Sequence, residues 1–406
     1  MSETVHRPMT RRECLTRSLA AAGVSICIPT LPAWASVPKT ASQSSRLATV
    51  GPLGLPDANG LRLPRGFRSR IVARSGQRPI AERAFTWHAA PDGGATFATQ
   101  EGGWVYASNS ELASGGGGAS ALRFDARGEI VDAYRILGNT SLNCAGGPTP
   151  WGTWLSCEEH PTGLVWECDP LGVAPARSWP ALGAFVHEAA AIDPTTMQVY
   201  LTEDLPDGRW YRFTPARRDA RTGIPDLASG TLEAAEWDGT DGGRVTWHAI
   251  EDASGKSVPT RLQAPRTTAF RGGEGCWHAH GTVFFATKID NRVWAFDIAK
   301  QRLRILYDAA RVSDPVLVGV DNITTTSAGD VLVAEDGDNM QIVALTADGP
   351  MPIVQVEGHE QSEVTGPAFD PSGTRLYFSS QRGARGVSSD GVTYEVSGPF
   401  MVPANP

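Results

Sequence analysis

The feature that most constrains this chain is a repeat. Six segments share one pattern of turn, small or polar residue, apolar strand and polar end: Gly103–Ser108, Gly152–Glu158, Gln198–Asp204, Gly281–Lys288, Asp330–Asp336 and Thr374–Gln381. Val105, Trp154, Tyr200, Phe284, Leu332 and Tyr377 occupy matched positions, spaced by 49, 46, 84, 48 and 45 residues. A period of 40–50 residues built from short strands is the mark of a β-propeller, in which each repeat buries its apolar face only against its neighbours. Turn chemistry agrees: Asp193-Pro194, Ser327–Gly329 and Asp370–Gly373 each lead into a strand. With 44 glycines and 29 prolines in 406 residues, the chain has turns to spare.

The repeat predicts an all-β, six-bladed propeller over residues 57–406. Second hairpins follow the matched strands, as in Val293–Asp297 with Leu303–Tyr307 and in Arg209–Phe213 with Thr231–Trp237. An insertion in the latter, with Asp238–Arg266, accounts for the wide spacing; a divergent seventh blade is the competing reading. The last blade lacks an outer strand before the chain ends. Phe67–Ala73 has the alternation to supply it, so the N-terminal strand is expected to complete the last blade.

Residues 1–35 read as an export address. Arg11 and Arg12 precede a mildly apolar stretch, Ser18–Leu31, and then Ala33-Trp34-Ala35, a small-x-small cleavage site. This is the pattern of a twin-arginine (Tat) signal, which engages the Tat export machinery and predicts a periplasmic or secreted protein. Residues 36–56 read as a flexible leader. No uninterrupted apolar run of the roughly 18 residues that spanning demands exists, so stable membrane insertion is not expected. The net charge of −8 argues against nucleic-acid binding by phosphate neutralisation. Four cysteines follow the signal, and an oxidising compartment would allow a Cys157–Cys168 disulfide. The chain is expected to act as a monomer.

In a propeller the innermost strands line a central channel. Polar residues recur at their starts: His88, Asn143 and Cys144, His187 and Glu188, Glu274, Asp321 and Asn322, and Glu363. Acids also close the matched strands at Glu158, Glu203, Glu335 and Asp336. Carboxylates converging on one axis repel unless cations bind between them. Carboxylate oxygens suit calcium, and an added thiolate suits a transition metal such as iron.

Asn143–Glu159, with its Cys-Ala-Gly-Gly-Pro core, resembles the hallmark of PhoX-type alkaline phosphatases. The resemblance continues through His187-Glu188, Val199–Asp204, Arg271–Glu274, Asp321-Asn322 and Glu363–Gly373. It implies Tat export and hydrolysis of small phosphate esters at an iron (Fe3+) and calcium (Ca2+) cluster in the channel. It further implies that Cys144 ligates iron and that Glu188 and Glu274 ligate the cluster, with Glu158, Glu203, Asp321, Glu335 and Glu363 as further metal or supporting acids. Arg271 would hold the phosphate, its planar fork pairing two oxygens. This sequence departs from the family's pattern in two places. Arg271 and Glu274 stand three apart rather than two, and Gln381-Arg382-Gly383 replaces a Gln-His-Pro-Gly.

Two other readings stay open: a calcium-dependent lactonase or arylesterase, which needs no thiolate, and a non-catalytic propeller with structural calcium. Elsewhere the bland reading is preferred. Gly115–Gly118 leads into a strand and lacks the helix and lysine of a phosphate loop. Asp336–Asn339 lacks the later glutamate of a calcium loop. His278 and His280 read as structural, and Cys276 as a buried inert thiol.

Overall fold

A computed structural model of the chain describes residues 44–402. The export signal and the start of the leader lie outside the described residues. The fold is all-β. The one α-helix among the described residues is a single turn, Thr260–Gln263, and no helix there is long and apolar enough to cross a membrane.

The strands form antiparallel meanders, each running outward from a first strand. One sheet orders Pro91–Ala98, Trp104–Ser110, Gly117–Phe124 and Ile130–Thr140. The next orders Asn143–Pro148, Trp154–Glu158, Val165–Cys168 and Arg177–Ser178. A third contains Val320–Thr325, Val331–Glu335, Gln341–Thr346 and Gly349–Val356, extended by Leu61–Arg62.

Between the second and third of these, one nine-stranded sheet replaces two separate meanders. One half begins at His187–Ile192 and ends in an extra fifth strand, Gly243–Ala249; the other runs from Gly273–Ala279 out to Arg302–Asp308. The halves join at their outer edges, where Gly243 faces Leu303 and Arg244 faces Arg302. The insertion that explained the wide repeat spacing is therefore an edge-covering strand as well as a loop.

In the last sheet, Val364–Phe369, Arg375–Ser380 and Val392–Ser397 are completed by Arg68–Arg74, whose Ile71 faces Tyr394. The N-terminal strand closes the sheet as expected. Arg70 Nη2 donates to Glu395 Oε2 at 2.7 Å, latching it in place. Order begins earlier than the expected leader boundary: Ser44–Ser45 pairs with Met401–Val402, and Leu47 is fully buried.

Apolar clusters fill the seams between sheets. Tyr106 of the first sheet stacks on Tyr377 of the last at 5.2 Å, and Trp104 and Phe124 join the same seam. Trp210, Phe285, Phe296 and Trp294 fill the seam within the nine-stranded sheet. Cys157 faces Val165 and Cys168 faces Trp154 across one hairpin. The two thiols thus sit three rungs apart, and all four described cysteines are free. The disulfide is corrected on that ground, since bridged residues must lie close together.

The six first strands neighbour one another in a closed ring. All six carry a register shift near their start, between Pro91 and Gly94, Asn143 and Gly146, His187 and Ala190, Gly273 and Cys276, Val320 and Ile323, and Thr365 and Ala368. A bulge leaves an extra residue unpaired and re-aims side chains. Glycine or alanine sits within five of the six bulges because neighbouring strands nearly touch. A Cβ on Gly275 would meet Ile323 N at 2.5 Å and Asn322 Cα at 2.7 Å. We expect Gly275→Val to cost about 3 kcal/mol or more by overpacking this ring, read as a lower urea midpoint with an unchanged slope.

Candidate metal centre

The six bulges put one residue from each first strand at one end of the ring. In order these are Asp92, Cys144, Glu188, Glu274, Asp321 and Gly366, the last without a side chain and at φ +61°. A second tier comes from the residue just after each second strand: Glu111, Glu159, Asp204, Lys288, Asp336 and Gln381. The two tiers form an acidic cup. Glu363, just before the last first strand, and Arg382, just after Gln381, complete it.

Three groups in the cup bring ligand atoms within 4.8 Å of one another and could hold a metal ion: Asp92, Glu111 and Cys144; Cys144, Glu159 and Glu188; and Glu188, Glu274 and Asp321. Cys144 and Glu188 each belong to two groups. Glu188 Oε1 is buried without a hydrogen-bond partner. An acceptor held dry in this way costs free energy unless something completes it.

Charge is far out of balance. Nine carboxylates (Asp92, Glu111, Glu159, Glu188, Asp204, Glu274, Asp321, Asp336 and Glu363) face two cations, Lys288 and Arg382. Lys288 Nζ lies 2.7 Å from Glu274 Oε1 and 3.1 Å from Asp204 Oδ2. Arg382 Nη1 lies 2.6 Å from Glu363 Oε1, and its Nη2 lies 3.6 Å from Asp336 Oδ1.

Even so, acids of the cup resist ionisation. Burial, then Glu274 and Glu159, raise Glu188 well above the usual carboxylate range. Burial, then Glu111 and Glu363, do the same to Asp92. Burial, then Glu274 and Glu363, hold Asp321 up. Burial and Glu111 push Glu159 up to about 9, while burial and Asp336 push Glu363 up to about 7. Burial, with Asp92 and Glu188, raises the Cys144 thiol.

Most residues expected at the site do meet here: Cys144, Glu188, Glu274, Asp321 and Glu363. Arg271 sits three residues before Glu274, exposed. Glu158, Glu203 and Glu335 do not enter the cup. They end their second strands one residue short of the outer tier, so strand alternation turns them to the opposite face. Each instead clamps its own loop, accepting the backbone N–H six residues on: Leu164 at 3.2 Å, Arg209 at 3.0 Å and Gln341 at 3.0 Å. Their placement as metal ligands is corrected accordingly.

His88 and His187 are buried and held neutral, each down to about 3 by burial first. His187 Nε2 meets Gly183 O at 3.0 Å, a structural contact. Sequence reasoning missed Asp92, Glu111, Glu159, Asp204 and Lys288 as site residues. Four of the five share one place in the fold, the residue just after a second strand. Asp92 was hidden by its bulge.

A ring of meandering sheets with an acid-and-thiol cup at one end of its axis defines a propeller-like β protein equipped to gather cations. The family model described as Alkaline phosphatase PhoX matches residues 106–166 and 160–305, which contain five of the cup's outer- and inner-tier acids and its thiol. The chain belongs to the PhoX alkaline phosphatase family. Its fold is similar to that of Pseudomonas fluorescens PhoX, solved in complex with vanadate, a transition state analogue. The TM-score is 0.71 at 16% identity, covering 88% of this chain and 98% of that one. XC5397 from Xanthomonas campestris, a gluconolactonase, aligns at TM-score 0.45 and 14% identity over 86% and 98% of the two chains. No curated protein matches.

Two outcomes are expected. Glu158→Gln and Glu335→Gln each lower stability by about 1–3 kcal/mol through a lost loop clamp, while elemental analysis finds metal content unchanged. In chelated protein the cup acids bind more protons folded than unfolded. Stability then falls as pH rises from about 5 through the folded-state value near 9 of Glu159. Melting curves across that range, with and without added cations, check the slope.

Proposed function

We propose that this chain is a metal-dependent phosphomonoesterase, exported by the Tat route to the periplasm or medium and active as a monomer. The observation that carries the reading is the cup: nine carboxylates and a thiol brought by the fold to one axis, in a chain of the PhoX family. Counted by its first strands, we read the fold as a six-bladed propeller with two blades fused at their outer edges.

The donor set fits the metals the family resemblance implies. Cys144 joins carboxylates in two adjacent groups, a mixture that suits iron. Glu188, Glu274 and Asp321 offer oxygen alone, which suits calcium. The dry oxygen on Glu188 is the kind of atom a cation completes. Cations in these groups would neutralise phosphoryl oxygens and acidify a water for attack on phosphorus.

The protein's own part is placement and charge. The bulges fix Cys144, Glu188, Glu274 and Asp321 on a rigid ring, so little reorganisation is needed on binding. Cys144 must lose its proton to serve as a ligand, against the burial that holds the thiol up. Without cations the cup repels a phosphate ester; the acids therefore make substrate affinity depend on metal loading. Arg271, exposed and with no ion pair among the described residues, is left free for the incoming anion. No serine or histidine nucleophile is required.

Cys144→Ser and Glu188→Gln should each lower p-nitrophenyl phosphate turnover by about 100-fold or more, with loss of bound iron, since ligand and supporting changes commonly cost that much. Chelation should abolish turnover, and iron with calcium should restore it. A metal-loaded wild-type chain that hydrolyses no phosphomonoester would overturn the reading. Activity on a lactone that survives Cys144→Ser would favour the esterase alternative.

A further inference from the structure

Two of the three metal-competent groups follow a rule of succession. Each of the two combines the inner side chain of one unit, the outer side chain of the same unit and the inner side chain of the next. Asp92, Glu111 and Cys144 obey it, and so do Cys144, Glu159 and Glu188. One more step names Glu188, Asp204 and Glu274.

That third trio does not gather like the first two. A side chain stands between its members instead. Lys288 Nζ contacts Glu274 Oε1 at 2.7 Å and Asp204 Oδ2 at 3.1 Å, bridging the inner acid and the outer acid of the third position. Lys288 comes from the outer tier of the following unit. It is the one cation in a tier otherwise made of Glu111, Glu159, Asp204, Asp336 and Gln381. Its backbone is fixed by Lys288 N donating to Gly272 O at 2.8 Å. Glu188, the third member, turns instead towards Glu274 and Asp321 and keeps one buried oxygen without a hydrogen-bond partner.

We propose that the Lys288 ammonium occupies the third cation position of this ring, so that the chain holds a tethered organic cation where the repeat would otherwise bind a metal ion. The proposal rests on reading the first two groups as metal sites. Its chemical meaning is specific. One ammonium carries half the charge of a divalent ion and offers hydrogen bonds rather than open coordination. The third position is therefore closed to water and to substrate oxygens as ligands, and it cannot be emptied by a chelator. The adjacent group of Glu188, Glu274 and Asp321 is left as the all-oxygen site.

The test compares wild type, Lys288→Met and Lys288→Arg after dialysis against calcium. Metal content per chain is read by elemental analysis, and melting temperature is read against calcium concentration. Lys288→Met should gain about one calcium ion per chain, and its melting temperature should depend on calcium more steeply than that of wild type. Lys288→Arg, which restores a tethered cation, should keep the wild-type metal content. Equal metal content in Lys288→Met and wild type overturns the proposal, as does a Lys288→Met chain that stays unfolded in excess calcium. Refolding of that chain on calcium addition supports it. Wild type and Lys288→Met that both bind no metal at all overturn the phosphatase reading itself, and this proposal with it.

Discussion

Crowded negative charge, held away from water, is the condition on which the rest of this molecule turns. The inner-tier acids do not sit on a surface where solvent would screen them. Glu188 and Glu274 are about as buried as the core, at 1% and 2% exposure. Their ionised forms are tolerable only beside positive charge. Two side-chain cations cannot balance nine carboxylates. The fold thus holds an excess of negative charge that bound cations would offset.

The backbone makes this arrangement in a simple way. A regular first strand would point alternate side chains into neighbouring sheets. A bulge near its start breaks that alternation and turns one side chain to the ring's end. Repetition does the rest, delivering a tier of inner groups and a tier of outer ones. Glycine or alanine within five of the six bulges lets the strands approach closely enough for those groups to meet. The acids one residue earlier on the second strands face the other way, and there they clamp loops. Adjacent glutamates such as Glu158 and Glu159 therefore have unrelated roles, set by strand parity alone.

Departures from a perfect repeat are where this chain becomes particular. Gly366 leaves the inner tier without a side chain in the last sheet. Lys288 puts a cation into an acidic tier. Arg382 ties Glu363 to Asp336 on the opposite side of the cup. The extra strand Gly243–Ala249 fuses two meanders at their outer edges, far from the axis, and so leaves the cup's geometry untouched.

Much of the architecture was legible from residue order. Short alternating strands, turn signals and the period of 45–49 residues are local features, and local features fix an all-β repeat and its closing N-terminal strand. The thiol and Glu188, Glu274 and Asp321 were legible too, because each lies at the start of the strand that precedes a repeat segment. What sequence could not determine was parity and register. A bulge inserts a residue without a sequence signal, so Asp92 escaped notice while its neighbour His88 drew it. Nor could spacing show that Cys157 and Cys168 stand on different rungs, or that Glu203 and Asp204 face opposite sides of one sheet. Which groups share the axis depends on contacts between residues far apart in the chain, as when Gln381 reaches Glu111, 270 residues away, and Asp92, 289 residues away. Contacts of that kind are decided only when the ring closes.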